Sequence, residues 1–160
     1  KLTGYRKMAE RVLKKVLKKI NIPYSTSQTH KIKISTSSFE VCLKKVSSHF
    51  DKKTSMILFN RYGDDILKVY KIYIDLLDKY NRKLLVFSEL IYCIDNEMCH
   101  NLTDFFTQRN SMVYFEIQDI RKEVKLFKNF YIKLKGKSSQ IFLKEEKELE
   151  EYLNKISTFI

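Results

Sequence analysis

The stretch Ile66–Met98, ILKVYKIYIDLLDKYNRKLLVFSELIYCIDNEM, decides the fold class. Its apolar residues Ile66, Tyr70, Tyr73, Leu77, Tyr80, Leu84, Phe87, Ile91, Ile94 and Met98 recur in alternating steps of four and three. A seven-residue period of this kind keeps one stripe of an α-helix turned toward a partner helix. No Gly or Pro falls inside the run, and Gly63 stands just before it. Asp64 and Asp65 sit where a helix start gains from a capping oxygen and from negative charge. A single helix of this length would measure ~50 Å at 1.5 Å rise per residue. The pattern therefore predicts the spine of an elongated, antiparallel, coiled-coil-like bundle. Val69, Ile72, Leu76, Leu85, Val86 and Leu90 widen the stripe, which favours three or four helices over a two-stranded coil. Tyr70, Tyr73 and Tyr80 at seam positions place hydroxyls where they need water or another protein chain.

A second ladder follows: Val113, Ile117, Ile120, Val124, Phe127, Tyr131 and Leu134, closed off by Gly136 and Ser138-Ser139. Ile141–Ile160 reads as a last helix, with Phe142, Leu149, Tyr152, Ile156 and Phe159 on the seam and glutamates outside. Asn101 or Thr103 is the expected cap after a reversal near Asp95–Thr103. Ahead of the spine, Phe39–Phe50 patterns as a short helix, with Ser37 and Glu40 at capping-box spacing. Ser55–Tyr62 reads as a buried turn of helix. Lys31–Ile34 alternates as a short extended segment would. Tyr5–Ile20 is amphipathic, stopped by Asn21-Ile22-Pro23. The expected class is all-α, in two parts: residues 1–50, a small basic helical region, and residues 51–160, the antiparallel bundle.

Three Gly and one Pro in 160 residues leave an all-β fold without turn residues. No apolar run approaches the ~20 residues of a membrane-spanning helix. Cys42, Cys93 and Cys99, odd in number and widely spaced, read as free thiols in an intracellular, reducing compartment, cytoplasm or nucleus. The chain opens on Lys1 rather than Met, as a fragment or processed chain does.

The net charge of +12 is uneven. Lys1–Phe50 carry twelve Lys or Arg against two acids, a net of +10, while Asp51–Met98 balance and Cys99–Ile160 add +2. The expected polyanion-binding residues are Arg6, Lys7, Arg11, Lys14, Lys15, Lys18 and Lys19 on one helix face, followed by Lys31, Lys33, Lys44 and Lys45. Such a face can contact phosphates of RNA or DNA, lie on an anionic membrane, or simply be solvated while its apolar side docks on the bundle. Lys outnumbers Arg on the helix, which suits delocalised attraction more than bidentate base reading.

Catalytic signals are thin. Cys93, Glu97 and His100 would share one face of an unbroken helix and have zinc-ligand chemistry, with Cys42 or His49 as a fourth ligand. Their spacing matches no familiar zinc pattern, and Cys93 lies within an apolar run. Cys99 and His100 are sequence neighbours, about 100° apart on a helix, which is poor geometry for a nucleophile and its base. Three scattered glycines make no phosphate loop. The sequence alone thus points to a non-catalytic scaffold with no cofactor. Its bundle would face a protein partner, and its basic front end a nucleic acid or an anionic membrane surface.

Overall fold

The computed structural model describes residues 4–32, 38–135 and 139–157. Among the described residues every regular element is helical and no strand occurs, so the protein is all-α. The chain divides into two compact units, Lys1–Thr36 and Ser37–Ile160.

The first unit is built on α1 (Tyr5–Lys19). The helix ends where Asn21 takes a left-handed φ of 55° and Pro23 follows, because proline has no N–H to extend the ladder. The Ile22 N–H returns to the Leu17 carbonyl at 3.0 Å, satisfying one of the last-turn carbonyls. Beyond it the chain makes a short 3₁₀ turn at Thr29–Lys31. Lys31 thus turns rather than extends, Ile32 is extended, and the rest of the expected segment lies outside the described residues.

The second unit starts with α2 (Phe39–Val46) and α3 (Lys52–Tyr62). Asp51 caps α3, its carboxylate accepting from the Thr54 N–H at 2.8 Å. The Ser37 half of the expected capping box lies outside the described residues. Although the charge boundary at Phe50 groups α2 with the basic front end, α2 packs on α3 and on the helix after it. Cys42, Val46, Phe50, Leu58, Ile66 and Tyr73 form the smaller of the two cores of this unit.

The 50 Å spine does not form. Ile66–Met98 divides into α4 (Ile66–Tyr80) and α5 (Leu85–Asn96), which fold back on each other. At 1.5 Å per residue each is only about 20 Å long. Asn81 breaks the run: it adopts φ 49°, ψ 41°, and its N–H caps the Leu77 carbonyl at 2.7 Å. Asn is the residue after Gly that most readily takes this left-handed C-cap. The heptad count survived the break because Leu84 re-enters the core in step, 1 % exposed. Asp64 and Asp65 also differ from expectation, since Gly63–Asp65 form a 3₁₀ turn with no side-chain cap on α4. Asp65 instead accepts from Lys68 at 2.9 Å and from the Tyr92 hydroxyl at 2.7 Å.

The second ladder is cut as well, at Glu116, into α7 (Met112–Phe115) and α8 (Ile117–Lys135). Its stripe still points inward, with Val113, Ile120, Val124, Phe127 and Tyr131 buried. Between α5 and α7 lie a one-turn helix, α6 (Leu102–Asp104), and a π-turn at Phe105–Arg109. The Asn101 carboxamide caps α6 through the Asp104 N–H at 2.8 Å, as its sequence position suggests. The last helix, α9 (Ser139–Ser157), contributes Phe142, Leu149 and Leu153 to the larger core. Phe105, Phe106 and Phe127 are fully buried there, each contributing about 1.5–3 kcal/mol by leaving water.

Candidate functional site

Three features of the described residues could carry function: the surface of α1, a buried polar centre between α3 and α5, and the π-turn. On α1 the seven expected cations, Arg6, Lys7, Arg11, Lys14, Lys15, Lys18 and Lys19, are all exposed. Arg6 donates to the Thr29 hydroxyl at 3.2 Å, and the Lys14 ammonium stands 5.5 Å from the centre of the Tyr24 ring. Lys31 is exposed in the 3₁₀ turn, Lys33 lies outside the described residues, and Lys44 and Lys45 sit on α2 in the second unit. The apolar side of α1 is the surprise, because α1 has no buried residue at all. Tyr5, Met8, Val12, Val16 and Ile20 are 60, 60, 62, 47 and 55 % exposed. Beside this side runs a groove of about 900 Å³, lined by Tyr5, Ala9 and Leu13 of α1 and by Tyr24 and Ile32 of the returning segment. The Tyr24 hydroxyl holds that segment to α1 by donating to Glu10.

The polar centre was not anticipated. Glu89 is 2 % exposed and accepts from Arg61 at 2.7 Å and from the Tyr62 hydroxyl at 2.9 Å. The same hydroxyl lies 3.9 Å from the Cys93 sulfur. Tyr62 and Tyr92 meet edge to face at 5.2 Å. Burial raises the Glu89 carboxyl, against the opposing pull of Arg61 and of the Tyr62 hydrogen bond. Burial is also the leading cause that pushes the Tyr62 and Tyr92 phenols and the Cys93 thiol upward. All three stay protonated near neutral pH, which leaves Cys93 a poor nucleophile. The one signal in the sequence was an acid, Glu89, standing alone among apolar residues; its partners lie 27 and 28 residues upstream.

Cys93, Glu97 and His100 do not share a helix face. Helix α5 ends at Asn96, Met98 turns left-handed at φ 55°, and the Cys99 N–H folds back onto the Cys93 carbonyl at 3.1 Å. Among the described residues no group of three or more His, Cys, Asp or Glu is placed to hold a metal. His49 instead meets Tyr70 at 2.8 Å, beside Ser48. At the π-turn, Arg109 pairs loosely with Asp104 at 3.8 Å, and the Asn110 carboxamide accepts from the Met112 N–H at 3.1 Å. Glu145, buried on α9, accepts from the Leu102 N–H at 3.3 Å and the Tyr131 hydroxyl at 2.7 Å. That contact ties α9 to the start of α6.

Residues 2–128 match a protein family described as the C-terminal domain of alpha-glycerophosphate oxidase. The chain belongs to this family. Similar relatives are the aerobic glycerol-3-phosphate dehydrogenases of Staphylococcus saprophyticus, 27 % identical over 136 residues, and of Staphylococcus epidermidis, 28 % identical over 139 residues. The Staphylococcus aureus enzyme is 27 % identical over 138 residues. Each alignment covers 75 % of this chain and 24 % of the relative, so the chain spans about a quarter of the length of these curated relatives. No solved structure matches it.

Membership of the alpha-glycerophosphate oxidase C-terminal domain family overturns the functional expectations drawn from charge. A non-catalytic scaffold and a nucleic-acid-binding protein give way to part of an oxidoreductase family, and the expectation of no enzyme falls with them. The cause of the error is physical: a lysine-rich helix answers to any anion and names none. Of the structure described above, α9 lies beyond the matched residues. Among the described residues, no helix is long and apolar enough to cross a membrane.

Proposed function

We propose that this chain is the C-terminal domain of an oxidoreductase acting on glycerol 3-phosphate, accompanying a redox centre carried by the rest of the enzyme. The observation that carries this reading is the family match over residues 2–128, with glycerol-3-phosphate dehydrogenases among the relatives. Oxidising an alcohol to a carbonyl releases the hydroxyl proton and breaks a C–H bond, whose hydrogen leaves with the two electrons, in sum a hydride, to an acceptor. Cys93, Tyr62 and Glu89, which have the chemistry for proton or nucleophile work, are packed against one another in the interior. A general base must reach its substrate within hydrogen-bond distance. Their burial therefore supports a structural part for this centre, with the chemistry performed elsewhere in the enzyme.

The positive charge fits a phosphorylated substrate. A phosphate monoester carries about −1.5 to −2 at pH 7, and a protein surface of net +12 draws such an anion toward it. Cys42 and Cys93, both free and buried, support a reducing compartment inside the cell.

The test is a dye-linked assay on the full-length polypeptide. Glycerol 3-phosphate is expected to drive reduction of the electron-accepting dye, and glycerol at equal concentration is not. A folded full-length protein that leaves the dye oxidised with glycerol 3-phosphate overturns the reading.

A further inference from the structure

We infer that the uncovered apolar side of α1, with the groove beside it, is the surface on which the oxidoreductase portion of the same enzyme docks. This rests on the function proposed above and names the partner of that domain. At 3.6 residues per turn, Tyr5, Met8, Val12, Val16 and Ile20 fall on one side of the helix, and Lys7, Arg11, Lys14 and Lys18 fall on the other. A helix as short as Tyr5–Lys19 is marginal in water without tertiary packing of its apolar side. The segment that returns along α1 is held by Tyr24 to Glu10 and by Thr29 to Arg6, and it leaves those five side chains about half exposed or more. The groove between helix and segment has an apolar floor of Ala9 and Leu13, shaped to accept a protruding side chain.

The occupant follows from how much of the enzyme the chain represents. Relatives of this chain are about four times its matched length, since the alignment covers 24 % of them. A domain family named for an oxidase has the greater part of that oxidase to pack against, and α1 offers the apolar surface for it. Arg6 and Lys15 border the apolar side and Lys19 lies within it, so the docked surface is expected to be apolar with an acidic rim and an acid facing Lys19.

The experiment is hydrogen–deuterium exchange read by mass spectrometry, on the full-length enzyme and on this 160-residue chain alone. Amides of α1 are expected to exchange at least about tenfold more slowly in the full-length enzyme. Val12→Asp with Val16→Asp should abolish that difference while α5 and α8 keep their protection. Lys14→Gln with Lys18→Gln, on the opposite side, should leave it unchanged. Equal exchange of α1 in both proteins overturns the inference. So does slow exchange in the 160-residue chain by itself, where its second unit or a second copy would be the cover, told apart by light scattering. Protection that appears only with phosphatidylglycerol vesicles would assign the surface to a membrane and overturn it too. The dye assay on the same full-length samples separates the two readings. Protected α1 without glycerol 3-phosphate oxidation keeps the docking surface and removes the activity, and oxidation with unprotected α1 does the reverse.

Discussion

At Glu89 a single acid carries more consequence than any other residue of the interior. It is enclosed by Arg61, Tyr62 and apolar neighbours, and burial raises its carboxyl above the ordinary range. A raised acid in the folded state contributes stability that is present below its unfolded pKa, about 4.3, and lost as pH rises through the folded value. Glu89→Gln keeps acceptor capacity toward Arg61 and Tyr62 and removes the titration. Relative to the parent, the variant should therefore gain stability as pH increases from 4 to 8, measured by urea unfolding at each pH. Arg61→Met leaves the carboxyl buried without its cation, which costs about 3 kcal/mol where Glu89 is ionised. That loss should shrink as pH falls and the carboxyl takes up a proton. A loss independent of pH would mean that Arg61 contributes packing alone. None of this was legible beforehand, because hydrophobic pattern registers an apolar run with one acid in it and holds no information on a partner 28 residues away.

Helices were legible as helices, and their ends less so. The amphipathic stretches at Tyr5–Lys19, Phe39–Val46 and Ile117–Lys135 all form, because a 3.6-residue repeat of apolar side chains is a local property of the chain. One cap set by a single polar residue was readable for the same reason, at Asn101, while the one expected from Asp64 and Asp65 did not form. The division of Ile66–Met98 was not, since Asn81 is tolerated inside a helix and Leu84 kept the period across the turn. If the left-handed conformation at Asn81 holds α4 and α5 apart, Asn81→Gly should be neutral or slightly stabilising. Asn81→Val should destabilise by about 1–2 kcal/mol, because a β-branched side chain clashes at positive φ. Asn101→Ala should lose about 1 kcal/mol by freeing the Asp104 N–H. Thermal unfolding of the three variants ranks them directly. Equal midpoints for Asn81→Gly and Asn81→Val would show that the break is set by packing of the flanking helices rather than by the backbone at Asn81.

Over the whole molecule, the charge imbalance was plain in the sequence and its meaning was not. Ten of the twelve net positive charges fall before Asp51, yet the number is the same for a nucleic acid, a membrane or a small phosphorylated substrate. Charge alone does not separate them, because a cationic face attracts each of these anions. If the charge serves to attract glycerol 3-phosphate, it acts on encounter and leaves the chemical step alone. In the full-length enzyme kcat/KM should then fall as ionic strength rises from 0.01 to 0.15 M, over which the Debye length contracts from about 30 to about 8 Å. The value of kcat at saturating substrate should barely move. Replacing Lys7, Arg11, Lys14, Lys15 and Lys18 by Gln should lower kcat/KM at low salt and flatten its salt dependence, with little change at 0.15 M. Four of these lie opposite the apolar side of α1 and Lys15 borders it beside Met8, so the substitution removes charge while leaving the five apolar side chains of the proposed docking surface in place. A quintuple variant whose kcat/KM keeps the parent's salt slope would show that the front end does not steer the substrate, and the lysines of α1 would then be a solvated face.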